Sequence, residues 1–73
     1  MIENQVVAQN ISDLLLKTTR ELDESLLQVQ GCCSENEFIA YRKVVAELMS
    51  IIYWDVLKYI YIRHPHLKPK ELD

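Results

Sequence analysis

The sequence predicts an all-α fold: a long two-helix antiparallel hairpin that dimerises into a four-helix bundle. Two long runs of apolar residues have helical spacing, and a helix-capping sequence stands between them. One glycine and two prolines in 73 residues leave few turns, which favours a few long elements. A chain of this length forms one domain whose core supplies no more than about 3–5 kcal/mol, so we expect a second copy to complete it.

The first helix is predicted over residues 4–30. Its apolar positions recur at about 100° per residue along one stripe, and no proline or glycine interrupts the run. Polar and charged residues, among them Asp13, Lys17 and Arg20, occupy the opposite side. The stripe consists of Val7, Ile11, Leu14, Leu15, Thr18, Leu22, Leu26 and Val29.

The second helix is predicted over residues 34–63. Ser34 and Glu37 have the spacing of a capping box, and Pro65 pushes the residue before it out of the helical region. The predicted turn therefore covers residues 31–33, and residues 64–73 form a tail. The inner stripe of the second helix consists of Phe38, Tyr41, Val45, Leu48, Ile52, Val56, Tyr59 and Ile60.

The adjacent cysteines of the turn have predicted packing roles. Gly31 is placed where a helix end prefers left-handed backbone, and Cys32 follows it, where an apolar contact returns to the last helical turn. Cys33 precedes the Ser34 cap and is expected to pack forward on Phe38. Free cysteine behaves as a small hydrophobic residue. A reactive Cys33 thiol near the helix start is the alternative.

A zinc site across the dimer is a further alternative. In an antiparallel dimer, Cys32 and Cys33 of one chain approach His64 and His66 of the other, which gives a mixed sulfur and nitrogen ligand set. These spacings are not those of known zinc motifs. The main interpretation therefore contains no metal and no cofactor, and the histidines are tail residues.

An interaction surface is predicted on the outer side of the second helix. On an α-helical wheel Trp54 falls among polar residues, and Tyr61 lies seven residues later on the same side. Aromatic residues grouped outside a core typically mark a contact surface. The predicted partner-binding residues are Trp54, Tyr61, Ile51, Leu57 and Lys58.

Composition and charge narrow the function classes. The net charge is −3, and no stretch is basic enough to follow a phosphate backbone, so nucleic acid is disfavoured as a partner, and a nucleic-acid-associated regulatory dimer is kept as an alternative. The most apolar window, residues 48–62, is too short to span a bilayer, and the N-terminus lacks signal-peptide features. We expect a cytoplasmic location without membrane binding.

No arrangement of nucleophile, base and orienting group is visible, and no small-molecule substrate is evident. The sequence therefore predicts a protein without enzymatic activity, an interaction or adaptor module that binds itself and another protein.

Residues 41–73 resemble the C-terminal half of small bacterial proteins of unknown function. The shared features are Tyr41-Arg42 at a helix start, Ile52-Tyr53 with Leu57 four residues on, and the His-Pro-x-Leu-x-Pro pattern of residues 64–69. The resemblance covers about half of the chain and implies a bacterial origin without a catalytic role. The hairpin outline is also similar to that of helical co-chaperones of type III secretion, which is a likeness of shape alone.

Overall fold

The computed structural model of the protein describes residues 1–70, and the regular structure among them is helical, without strands. Helix α1 spans Gln5–Cys32 and helix α2 spans Glu35–Ile51. A π-helical segment, Ile52–Leu57, continues α2 directly into helix α3, Lys58–Arg63. A short 3-10 turn, Pro65–Leu67, follows. Of the predicted tail, residues 71–73 lie outside the described residues.

Helix α1 begins and ends close to the predicted residues, but its C-terminus corrects one prediction. Asn4 caps the start, because its Oδ1 accepts from the backbone N–H of Val7 at 3.1 Å. The helix continues to Cys32 instead of ending at residue 30, and Gly31 lies inside it without a positive φ. The predicted left-handed glycine is therefore wrong. Cys33, in extended conformation, ends the helix, and its N–H donates to the Val29 carbonyl at 2.9 Å.

The cap of the second arm is confirmed. The Ser34 hydroxyl accepts from the backbone N–H of Glu37 at 3.2 Å. The same hydroxyl donates to Oε1 of Glu37 at 2.9 Å, so the carboxylate supports the cap through the side chain of Ser34. Glu35 and Glu37 also place negative charge at the positive end of the helix dipole.

The π-helical segment, hereafter the π-turn, is the main departure from the predicted regular helix. The backbone N–H of Lys58 donates to the carbonyl of Tyr53, five residues earlier instead of four. One extra residue per turn rotates everything after it by about 100° relative to a continuous α-helix. In a regular helix Arg63 would point at α1. After the π-turn it is exposed, and His64 is buried in its place.

Hydrogen bonds between distant parts of the sequence show that the two arms run antiparallel. Near the chain ends Ser12 Oγ lies 2.7 Å from the Tyr61 hydroxyl, and near the turn Ser25 Oγ lies 2.7 Å from the Tyr41 hydroxyl. The Ser12–Tyr61 pair is buried, so water does not bond to either hydroxyl. Each hydroxyl serves instead as the hydrogen-bond partner of the other.

The open end of the hairpin is closed by the N-terminal segment. Nε2 of the buried His64 donates to the carbonyl of Ile2 at 2.9 Å. Ile2 has a φ of 54°, a value that a β-branched residue adopts at a cost of about 1–3 kcal/mol. The hydrogen bond and the packing of Ile2 against the core offset that cost.

The core lies at this end of the molecule. Ala8 of α1 packs in one cluster with Leu57, Ile60 and Tyr61 of the second arm. Ala8 and Ser12 are small and one helical turn apart, which leaves room for the Tyr61 side chain between the helices. The hairpin measures 44 × 21 × 16 Å, so its narrowest dimension is close to the thickness of a single helix with its side chains.

We predict that the Ser12–Tyr61 pair contributes to stability as a unit. Ser12→Ala leaves the Tyr61 hydroxyl buried without a partner and should lower the free energy of unfolding by about 1–3 kcal/mol. The double variant with Tyr61→Phe should recover most of that loss, because neither hydroxyl remains. Urea unfolding at one fixed protein concentration measures both.

The matched control is the same cycle at Ser25 and Tyr41, a pair that is only half-buried. Water reaches that pair, so its coupling energy should be smaller. Equal coupling energies at the two sites would contradict the assignment of Ser12–Tyr61 as a buried bond.

Candidate interaction surfaces

The predicted partner-binding residues divide between the surface and the core. Trp54 is 55% exposed, and Ile51 and Lys58 are exposed as predicted. Tyr61, at 6% exposed, and Leu57, at 2%, belong to the core instead. Their assignment to an exposed surface is wrong, and the role of the other three in binding a partner stays a prediction.

The π-turn explains this division. On a regular helix the residue seven positions after Trp54 shares its side, which is Tyr61. With one extra residue inserted, the eighth takes that place, and Ile62 is 65% exposed. The same shift carries Leu57 and Tyr61 into the core and moves the predicted inner residue Tyr59 to the surface. Leu48, also predicted to face inward, is exposed as well.

Trp54 and Lys58 form one local unit on this outer side. Nζ of Lys58 lies 5.2 Å from the centroid of the Trp54 ring, a cation–π distance. Tyr53 meets the Trp54 ring edge-on, with centroids 5.1 Å apart. The indole is therefore held between two neighbours while more than half of its surface remains open to solvent.

A second exposed apolar surface runs along one broad side of the hairpin. Each of its residues comes directly before a buried or half-buried position, as Val7 precedes Ala8 and Val44 precedes Val45. All of its members are more than 40% exposed. We call this surface the flanking face, and its residues are Val7, Leu14, Val44, Leu48, Ile51 and Tyr59.

Helix geometry places the residues of the flanking face on the same side of the molecule. Antiparallel right-handed helices wind in opposite senses when viewed from one end. The flank that precedes the core on one helix and the corresponding flank on the other therefore point the same way. The apolar residues of the flanking face therefore lie on one side of the molecule, along the second arm and the N-terminal half of α1.

The two cysteines lie at the turn, and both are exposed. The predicted packing of Cys32 back onto α1 is wrong, because the helix continues through it and carries its side chain outward. Cys33 and Phe38 both line one cleft of about 410 Å³, and the packing of the exposed Cys33 on Phe38 stays a prediction. Arg42 also lines this cleft, with its guanidinium 5.6 Å from the Phe38 ring centroid.

The histidines lie at the opposite end of the hairpin from the thiols. His64 is a buried core residue and not part of an exposed tail, and its Nε2 is engaged by the Ile2 carbonyl. His66 is exposed, with its ring edge-on to His64 at 6.1 Å. Within residues 1–70 of one chain, no group of three or more His, Cys, Asp or Glu side chains is arranged to hold a metal ion.

Comparisons with protein-family models, with curated proteins and with solved structures gave no match to this chain. The resemblance of residues 41–73 to small bacterial proteins stays a prediction. Among the described residues, no helix combines the length and the apolar character that crossing a membrane requires. Function therefore has to be argued from the surfaces themselves.

Sequence reasoning missed the π-turn and, with it, the inward positions of Tyr61 and His64. A signal was present: continuing the α-helical period past Val56 places Arg63 toward α1, and a charged residue there conflicts with an apolar core. A one-residue shift removes the conflict, because Ile60 and Tyr61 then face α1 together and Arg63 faces solvent.

We predict that the π-turn tolerates the loss of one residue. Deleting the exposed Asp55 should convert the π-turn to regular α-helix. The core residues of the segments before and after it should still face α1. Deleting the exposed Ala46 from the regular part of α2 should instead rotate every later residue by about 100°. Thermal unfolding of both variants, followed by circular dichroism, compares their stabilities.

The Asp55 deletion should keep a cooperative transition within about 5 °C of the parent, the change expected from about 1 kcal/mol. The Ala46 deletion should lose several times that stability or fail to fold, because the core residues of the second arm turn away from α1. Equal losses in the two variants would show that the π-turn does not set the phase of the helix.

Proposed function

We propose that the protein is a non-enzymatic interaction module that works as a homodimer, in which two hairpins pack through their flanking faces as a four-helix bundle. The observation that carries the proposal is the imbalance between its core and its surface. Within residues 1–70 five hydrophobic residues are buried, whereas twelve large hydrophobic residues are exposed. One hairpin therefore leaves more of its large apolar side chains exposed than it buries fully.

The shape of the flanking face supports a second copy as its occupant. The face includes residues of both arms, and a two-fold axis parallel to it brings the same residues of two chains together, as an isologous dimer requires. A broad side of a molecule measuring 44 × 21 × 16 Å is of the size that a standard interface covers on each partner, about 800 Å². Two helical layers then enclose one shared core.

The Trp54 side remains available to another protein in such a dimer. Trp54 and Ile62 point away from α1, and the flanking face lies between that direction and the core. Exposed tryptophan held by neighbours resembles the residues on which binding energy concentrates at interfaces. The module thus has one surface for itself and one for a partner.

The chemistry of the described residues favours a role in binding over catalysis. The exposed thiols are at one end of the hairpin and the histidines at the other, so neither histidine serves the thiols as a base within one chain.

The dimer is tested by a pair of matched valine substitutions. Val44→Lys places a charge within the flanking face and should shift sedimentation from twice the 8.6 kDa chain mass toward the monomer. Val6 is 68% exposed, against 51% for Val44, but lies on the outer side of α1. Val6→Lys should leave the dimer intact.

A dissociation constant raised at least about tenfold in Val44→Lys, with Val6→Lys unchanged, is the expected result. Two outcomes would contradict the proposal: a parent protein that sediments as a monomer, or equal effects of the two substitutions.

A further inference from the structure

Two histidines lie side by side at the open end of the hairpin, where α3 passes into the short 3-10 turn. The rings of His64 and His66 are edge-on, with their centroids 6.1 Å apart. We propose that this pair binds one divalent transition-metal ion of the zinc class, with Nδ1 of His64 and one ring nitrogen of His66 as its protein ligands. The site lies within a single chain, so the inference goes beyond the proposed dimer and does not depend on it.

The hydrogen bond of His64 decides which of its ring nitrogens is available to a metal ion. Nε2 lies 2.9 Å from the Ile2 carbonyl, and because a carbonyl oxygen only accepts, Nε2 carries the proton. A neutral imidazole has a single ring proton, which leaves the lone pair on Nδ1. Metal-binding histidines typically donate their other N–H to a carbonyl or carboxylate in this way, which fixes the tautomer and orients the ring.

Nδ1 of His64 is open to solvent, although the residue as a whole is only 7% exposed. Among the described residues, the one hydrogen bond of the His64 side chain is that of Nε2. No fully buried side-chain nitrogen or oxygen within residues 1–70 lacks a hydrogen-bond partner. Nδ1 has no such partner, so it is not fully buried, and an ion can reach its lone pair from outside.

The distance between the two rings suits two ligands of one ion. With a metal–nitrogen bond of about 2.1 Å, each ring centroid lies about 3.2 Å from the ion. Two rings on one ion therefore have centroids at most about 6.5 Å apart, and about 5 Å apart in tetrahedral geometry. The observed 6.1 Å falls within that limit. His66 is exposed, so its ring can turn closer to His64 without disturbing the core.

The backbone between the two histidines is ordered. Pro65 begins the 3-10 turn with its fixed φ, and the Leu67 N–H donates to the His64 carbonyl at 3.0 Å. The Leu67 side chain packs against the core cluster, which anchors the turn to the rest of the hairpin. Groups that are already held in place lose little conformational entropy when a ligand binds.

Two imidazoles select a transition-metal ion over magnesium or calcium. Nitrogen ligands suit Zn²⁺, Cu²⁺ and Ni²⁺, whereas Mg²⁺ and Ca²⁺ prefer oxygen. No third His, Cys, Asp or Glu side chain within residues 1–70 joins the pair, so water completes the coordination. An ion on Nδ1 draws electron density from the His64 ring and strengthens the bond from Nε2–H to the Ile2 carbonyl. Ion binding is thereby coupled to closure of the open end by the N-terminal segment.

The test is a titration with Zn²⁺ of the whole chain, labelled with nitrogen-15 and carrying Cys32→Ser and Cys33→Ser. Thiolates are themselves strong zinc ligands, and both cysteines are exposed, so the two serines remove a competing site without entering the core. Zn²⁺ should shift the ring nitrogen resonances of His64 Nδ1 and of His66 until one ion per chain is bound. Mg²⁺ at the same concentrations should shift neither.

Two further variants of this protein locate the ion. His66→Asn should weaken zinc binding by at least about tenfold, because it removes one of two imidazole ligands from an exposed position. Glu47→Gln removes an exposed carboxylate of α2 and should leave the affinity for zinc unchanged. The amide spectrum of each variant shows whether it is folded.

The amide of Glu3 separates the proposed site from zinc held by His66 alone. This amide shares a peptide group with the Ile2 carbonyl, so it should shift when an ion on Nδ1 strengthens the bond from His64. Three outcomes would overturn the proposal: shifts that grow without saturation, an affinity for zinc that His66→Asn leaves unchanged, or a saturated His66 beside unchanged His64 and Glu3 resonances.

Discussion

The rotation of the second arm about its own helix axis determines the rest of this structure. The extra residue in the π-turn rotates the chain after Val56, so that Leu57, Ile60 and Tyr61 meet Ala8 while Ile62 joins Trp54 outside. The buried Ser12–Tyr61 bond and the His64–Ile2 bond both follow from that rotation. The core and the outward surface are thus two results of one local feature of the backbone.

A thin hairpin explains why so much apolar surface remains. Two helices share a single seam, and the residues on either side of it stay open unless another layer covers them. The flanking face is a group of exposed aliphatic and aromatic side chains, while the Trp54 side combines an exposed indole with the ammonium group of Lys58. The two surfaces differ in chemistry, as expected if they serve different partners.

Most of the fold was predictable from the sequence, because helices obey local rules. The periodic stripe of α1, the Ser34 cap and the stop before Pro65 each gave an element close to its observed bounds. The positions of Tyr61 and Leu57 were not predictable in the same way, since a wheel at 100° per residue assumes a regular helix throughout. The inward packing predicted for Cys32 failed for a related reason. It assumed that Gly31 ends α1, whereas the helix continues through this glycine, and the local sequence allows both.

The most direct test of this account is the nuclear Overhauser contact between the β protons of Ser12 and the ring ε protons of Tyr61. The rotated second arm predicts strong cross-peaks, because the two hydroxyl oxygens lie 2.7 Å apart in the core. A continuous α-helix predicts a Tyr61 ring on the Trp54 side, with cross-peaks only to its own arm. Absence of the Ser12–Tyr61 cross-peaks in the folded protein would contradict the phase shift and the surfaces that depend on it.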